Sequence, residues 1–313
     1  MISLGPRAAG DAASGAGTTI STQTSVSWFN ADSLLAGMKR INIFCGGFGS
    51  GKTEVAVNFS LRMRELGRRV SIADLDIVNL YFRSREVREQ LRGQGIEVMV
   101  PGGALVNADL PIIVPEVRGA LEDRGPETED RTRVGARGDG RSGAYHKDTK
   151  TPRGQSSEVE GPGSSTQSRP LVVLDLGGDP AGAKVMASIA EGMRPEDYSG
   201  LFVLNSRRPF TATVDAAQAM MAGISEAARM NIDRIVVNSH LVDETTPAVI
   251  SEGIALGEAL AQRTGARIAF VAVQRDLLDR FDADKCGHPV MVLDRLMLKP
   301  WEPSNWLGKY RIQ

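Results

Sequence analysis

Residues 46–53 read Gly46-Gly47-Phe48-Gly49-Ser50-Gly51-Lys52-Thr53, a glycine-rich run closed by a lysine and a hydroxyl residue. Glycine backbone can curl until successive N–H groups converge on one point, as a cluster of phosphate oxygens requires. Lys52 at the end of such a run reaches the outer phosphates, and the Thr53 hydroxyl is a ligand for Mg²⁺. The run follows the apolar stretch Ile41-Asn42-Ile43-Phe44-Cys45 and precedes a segment with helical spacing. The phosphates would therefore also meet the partial positive charge of a helix N-terminus. This order of elements predicts binding of a nucleoside triphosphate. A glycine turn with no ligand does not account for the Gly51-Lys52-Thr53 end.

Two further stretches carry carboxylates where such a ligand would need them. Asp74-Leu75-Asp76-Ile77-Val78-Asn79 follows a short β-branched run. At the end of a parallel strand Asp74 and Asp76 would lie on the ligand-binding edge of a sheet, able to position water or hold metal-bound water. Leu171-Val172-Val173-Leu174-Asp175-Leu176-Gly177-Gly178-Asp179 is an apolar strand ending in an aspartate, the form of a Walker B site, whose carboxylate binds Mg²⁺ through water. Asp175 and Gly178 also have the Asp-x-x-Gly spacing in which a glycine amide bonds a γ-phosphate. Each stretch alone reads equally well as a strand end with a cap or a glycine turn. Following the phosphate loop in this order, they read as its partners.

The elements that must position these residues alternate. Strands are expected at 41–45, 69–73, 96–100, 171–175, 201–204, 235–238 and 268–271, and helices at 53–66, near 115–121, and at 181–192, 213–227 and 247–264. Several of the strands are apolar at nearly every position, as expected for strands covered on both faces. Strand and helix in alternation imply an α/β fold with a doubly wound, mostly parallel sheet. Residues 1–37 read as a flexible leader to a single nucleotide-binding domain over 38–313. Residues 122–169, poor in large apolar side chains, read as a disordered insertion.

At 313 residues, 42% hydrophobic and net charge -1, the chain has the makings of a sizeable core and no global basic field. No nucleic-acid partner is expected, since neither a basic face nor a helix-turn-helix signature is visible. No apolar run approaches a membrane span and no signal peptide is visible, so a cytoplasmic protein is the default. Cys45 and Cys286 are too few and too far apart for a disulfide framework or a closed zinc site, and the three histidines show no metal spacing.

The order Gly-Ser-Gly-Lys-Thr, Asp-Leu-Asp-Ile-Val-Asn, Val-Leu-Asp-Leu-Gly-Gly-Asp resembles the MinD/ParA/CobQ-type P-loop ATPases, of the SIMIBI class, over roughly residues 39–273 without the insertion. The resemblance implies a seven- or eight-stranded sheet of the P-loop NTPase fold, Mg-ATP as cofactor, and slow hydrolysis. It implies that Asp76 orients the attacking water, that Asp74 lies nearer the metal, and that Asp175 is the Walker B carboxylate. It also implies that Asn238, ending Ile235-Val236-Val237-Asn238, meets adenine, with backbone of 271–274 completing the base pocket. The chain departs from the family at Gly47, where MinD and ParA proteins carry a lysine that reaches a dimer partner's phosphates. In this it resembles a subset lacking that signature lysine. A homodimer using that lysine is not supported, and turnover would call on another cation, Arg83 or Arg85, or on a partner.

Three functions follow as expectations. The first is an ATPase switch acting on a protein or cofactor partner. The second is an ATP-dependent ligase or synthetase of the cobyrinate or dethiobiotin type. The third is a nucleotide-binding module that does not hydrolyse. No Asn-Lys-x-Asp guanine signature is visible, which leaves ATP favoured over GTP on Asn238 alone.

Overall fold

Short β-branched runs flanked by glycine and polar residues form the sheet, and the longer periodic segments cover it. The computed structural model describes residues 37–75, 85–99, 115–122, 169–178, 180–190 and 193–296. In chain order the main elements are β1 (Ile41–Cys45), α1 (Lys52–Glu65), β2 (Val70–Leu75), α2 (Arg85–Gly93), β3 (Ile96–Met99), α3 (Pro115–Glu122) and β4 (Leu171–Leu176). They continue with α4 (Pro180–Ala190), β5 (Tyr198–Leu204), α5 (Val214–Ala228), β6 (Arg234–Val237), α6 (Pro247–Thr264), β7 (Arg267–Gln274) and β8 (Val290–Leu293).

The eight strands form one sheet in the order β3-β2-β4-β1-β5-β6-β7-β8. Every neighbouring pair is parallel. Side chains alternate across it. Ile41, Ile43 and Cys45 of β1 join the cluster under α3, α4, α5 and α6, whereas Phe44 joins the cluster under α1 and α2. Helices on both faces make this a doubly wound, parallel α/β sheet. β1 is central: the chain leaves it toward β2 on one side and later passes from β4 across it to β5 on the other, so the crevice at its C-terminal end is the topological switch point where such sheets bind ligands.

The strands differ from expectation at their ends. β5 begins at Tyr198 rather than 201, because Gly200 admits the Asn231 carbonyl: a Cβ there would stand 2.2 Å from that oxygen. β8 was not among the strands read from the sequence, although the resemblance allowed for an eighth. It is four residues long, follows Pro289, and is defined by its pairing with β7, Val271 opposite Val290. The leader at 1–37 and the insertion at 122–169 lie outside the described residues, apart from Gly37, Glu122 and Arg169. No helix among the described residues is long and apolar enough to cross a membrane.

Candidate nucleotide-binding site

β1 delivers its chain end, Cys45, directly into the glycine loop, and α1 begins at the far side of that loop with Lys52. Positive φ angles at Gly46 (150°), Gly49 (72°) and Gly51 (83°) make the loop's curl one that side chains with a Cβ would resist. Ser50 N–H closes a turn onto the Gly47 carbonyl at 3.1 Å, and Val55 N–H makes the first helical bond, to Gly51 O at 3.0 Å. Gly51 caps α1, whose first N–H groups have no acceptor within the helix. Lys52 is buried, 6% exposed, at this positive end. The Ser50 hydroxyl is buried and without a hydrogen-bond partner among the described residues, a polar atom suited to a polar ligand. Beneath the loop, burial pushes the Cys45 thiol up to about 12 despite the opposing pull of the Lys52 charge. Cys45 is thus an inert core residue.

The carboxylates come from neighbouring strands. Asp74 on β2 and Asp175 on β4 are partners in the strand register, and Asp175 also stands opposite Phe44 of β1. Asp175 is fully buried. Two residues past β4, Gly178 packs on the loop itself: a Cβ there would lie 2.9 Å from Phe48 N and 3.0 Å from Gly46 O. The Asp-x-x-Gly stretch is therefore in contact with the phosphate loop. Asp76 follows the last described residue of β2 and lies outside the described residues, as do Arg83 and the side chain of Arg85. Among the described residues no three His, Cys, Asp or Glu side chains cluster as a metal site. Thr53, Asp74 and Asp175 carry the oxygen donors that Mg²⁺ takes, of which it uses few from protein and the rest from phosphate and water.

On the other flank of the loop lies a cavity of about 380 Å³, within the range of small-molecule sites. It extends from Lys52 and Thr53 past Asn238 and His240 to Ala272 and Gln274 of β7 and Leu293 at the end of β8. Asn238 donates from Nδ2 to the Ser50 carbonyl at 2.8 Å, so it braces the loop at the cavity's inner edge. Gly51 is the residue that allows this, since a Cβ on it would lie 2.4 Å from Asn238 Nδ2 and 3.1 Å from His240 Nε2. Within the segment 271–274, Ala272 and Gln274 line the cavity.

His240 and Arg208 had less weight in the sequence than they have here. Val242 takes φ 55°, a left-handed conformation costly for a β-branched residue, and its N–H donates to His240 Nδ1 at 3.4 Å. Thr245 holds this turn, accepting from Leu241 N–H and donating to the Val242 carbonyl. A donor at Nδ1 assigns the ring proton to Nε2. Burial, with the Arg208 charge adding to it, brings His240 down to about 4, so the ring is neutral. Arg208 donates from Nε to the Gly49 carbonyl at 2.7 Å. Nothing in the spacing of Asn205-Ser206-Arg207-Arg208-Pro209 marked that contact, which depends on two loops meeting at the sheet edge.

No family model matches the sequence, and no curated protein matches it. Among solved structures it is similar to FtsY from Mycoplasma mycoides at 18% identity, covering 82% of this chain and 69% of that one, with a TM-score of 0.45. FtsY from Thermotoga maritima is 13% identical over 79% of this chain and 67% of that one, TM-score 0.42. A nucleotide-binding protein from Archaeoglobus fulgidus, solved in complex with ADP, is 15% identical over 79% of this chain and 87% of that one, TM-score 0.35. None of these likenesses is close enough to assign a function, which has to be argued from the site.

Proposed function

We propose that this chain binds ATP with Mg²⁺ and hydrolyses it as a nucleotide-dependent switch on a protein or cofactor partner. The observation that carries the proposal is Gly178 seated against the backbone of Gly46–Phe48, because it couples the Walker B strand to the phosphate loop. A γ-phosphate held there would bear on both. Lys52 and the loop amides, Gly51 among them, bind the phosphate chain, and Thr53, Asp74 and Asp175 hold Mg²⁺. Mg²⁺ in that position neutralises charge on the phosphate oxygens. Asp76, one residue past β2, orients the attacking water.

The reading of adenine over guanine draws support from the cavity wall. Guanine offers adjacent N–H donors that call for a carboxylate acceptor. Both carboxylates of the cavity wall are engaged: Asp294 by Arg62 and Arg275, Glu54 by the Leu296 N–H and Asn58. Adenine needs one donor and one acceptor, which backbone at 272–274 and neutral His240 can meet.

Phosphate release from ATP by the purified chain, with Mg²⁺ and with EDTA, tests this reading. Lys52→Ala should weaken ATP binding about tenfold or more, the usual scale for a charge-assisted contact. Asp76→Ala should leave binding in place and abolish turnover. ATP bound tightly by the wild type with no turnover selects the non-hydrolysing module. That reading draws support from Met220, whose sulfur stands where a side chain at Gly47 would enter, 2.7 Å from its Cβ position. ADP formation only on addition of a carboxylic acid selects the ligase. A wild-type chain that binds no nucleotide overturns all three.

A further inference from the structure

Arg208 is a cation without a carboxylate partner among the described residues. Its neighbour Arg207 is paired with Glu252, and Arg275 and Arg62 share Asp294, but Arg208 spends one donor on a backbone carbonyl, that of Gly49. The guanidinium carries further N–H donors and a planar face suited to stacking. Gly49 makes room for it, since a Cβ there would crowd Arg208 Nε at 3.2 Å and Cζ at 3.3 Å, besides being strained at φ 72°. The rest of the guanidinium borders the cavity, beside an imidazole that stays neutral partly because of its charge.

The position of Arg208 decides which part of a nucleotide it meets. The Walker B flank, with Asp175 and Gly178, lies across the loop from the cavity and supplies none of the cavity wall. Arg208 shares that wall with Asn238, His240 and Gln274 as well as with Lys52 and Thr53, so it stands where a base and sugar would lie next to the phosphates. Resting on the nucleotide-binding reading above, we propose that Arg208 is a nucleoside-contacting residue. Its Nε pins the Gly49 carbonyl while its face and remaining donors meet the base and ribose, tying occupancy of the base slot to the shape of the phosphate loop.

Equilibrium binding of ATP, ADP and inorganic tripolyphosphate to the full chain separates this role from its rivals. Arg208→Ala should weaken ATP and ADP by the same factor, about tenfold, and tripolyphosphate by clearly less, through the lost Gly49 contact alone. Arg208→Gln, which keeps an N–H donor for Gly49 but loses the charge and the plane, should show the same pattern, and serves if the alanine variant does not fold. Arg208→Lys should restore part of the loss. A loss confined to ATP would make Arg208 a terminal-phosphate cation, and an equal loss for tripolyphosphate would make it a brace of the loop alone. Either result overturns the proposal, as do unchanged affinities in a folded variant. Wild-type protein that binds neither nucleotide, by contrast, overturns the nucleotide-binding reading itself.

Discussion

Asn205 ties together the two loops that hold His240 and Arg208. Its Oδ1 accepts from the backbone N–H of both Arg207 and His240, and its Nδ2 donates to the His240 carbonyl. Buried and thus committed, one amide side chain fixes two loops against each other. The histidine so held has a measurable signature. Its folded value of about 4 lies below the ordinary value of 6.5, so between those pH values the unfolded chain takes up a proton that the folded chain refuses. Stability from this group is complete above pH 6.5 and declines as pH falls toward 4. By pH 5 the loss should be about 2 kcal/mol. His240→Asn, which retains an acceptor for the Val242 N–H, should unfold in urea with a smaller difference between pH 7 and pH 5 than the wild type. Equal slopes in the two proteins would show that His240 does not titrate this way.

Helix α6 is set on the sheet by absence of side chains. Gly253 and Gly257 lie one turn apart and face β6: a Cβ on Gly253 would meet Ser239 Oγ at 2.2 Å, and one on Gly257 would meet Val237 Cγ2 at 2.7 Å. Ser239 cannot simply turn away, because its Oγ accepts from the Ser206 N–H beside the cavity. Alanine normally favours a helix over glycine by up to about 1 kcal/mol. At Gly253 overpacking should reverse the sign, and Gly253→Ala should cost about 1–3 kcal/mol. Gly223 on α5 is the control, since a Cβ there meets nothing within 4 Å, and Gly223→Ala should raise the melting temperature. Thermal melts of the two variants moving in the same direction would refute the close-packed face. The same contrast shows how far the sequence could be read. β1, β4 and β6 were legible because strands buried on both faces are apolar throughout, and α6 because Pro247 and Gly265 punctuate it at each end. The phosphate loop was legible because its chemistry is continuous in the chain. β8 and the contact of Arg208 with Gly49 were not, since each exists only through residues distant in sequence.

Across the whole molecule, the helix that begins at the phosphate loop is also the anchor of the far edge strand. Asn58 on α1 pairs with the backbone of Asp294 in both directions, accepting from its N–H at 2.8 Å and donating to its carbonyl at 2.9 Å. Arg62, a turn further on, reaches the Asp294 carboxylate at 2.6 Å, and Arg275 binds it through both Nε and a terminal nitrogen. Glu54, in the first turn of α1, accepts from Leu296 N–H. The end of β8 thus forms one wall of the cavity while it is held to the helix that carries Lys52, so the cavity wall and the phosphate loop share one anchor. Burial alone would raise the Asp294 carboxyl, but Arg275 and Arg62 outweigh it and hold the group below its ordinary range. A depressed carboxylate contributes stability that is present above its unfolded value, near pH 4, and is lost as pH falls through the lower folded value. Asp294→Ala leaves the buried Arg62 without this partner, and breaking such a pair costs about 3 kcal/mol. The variant should therefore be less stable at pH 7 and show a shallower fall in stability below pH 4. ATP affinity should drop with it, because Leu293 and Arg295 lose their support at the cavity wall. A variant as stable as the wild type at pH 7, or one whose nucleotide affinity is unchanged, would show that the edge strand and the site are not coupled.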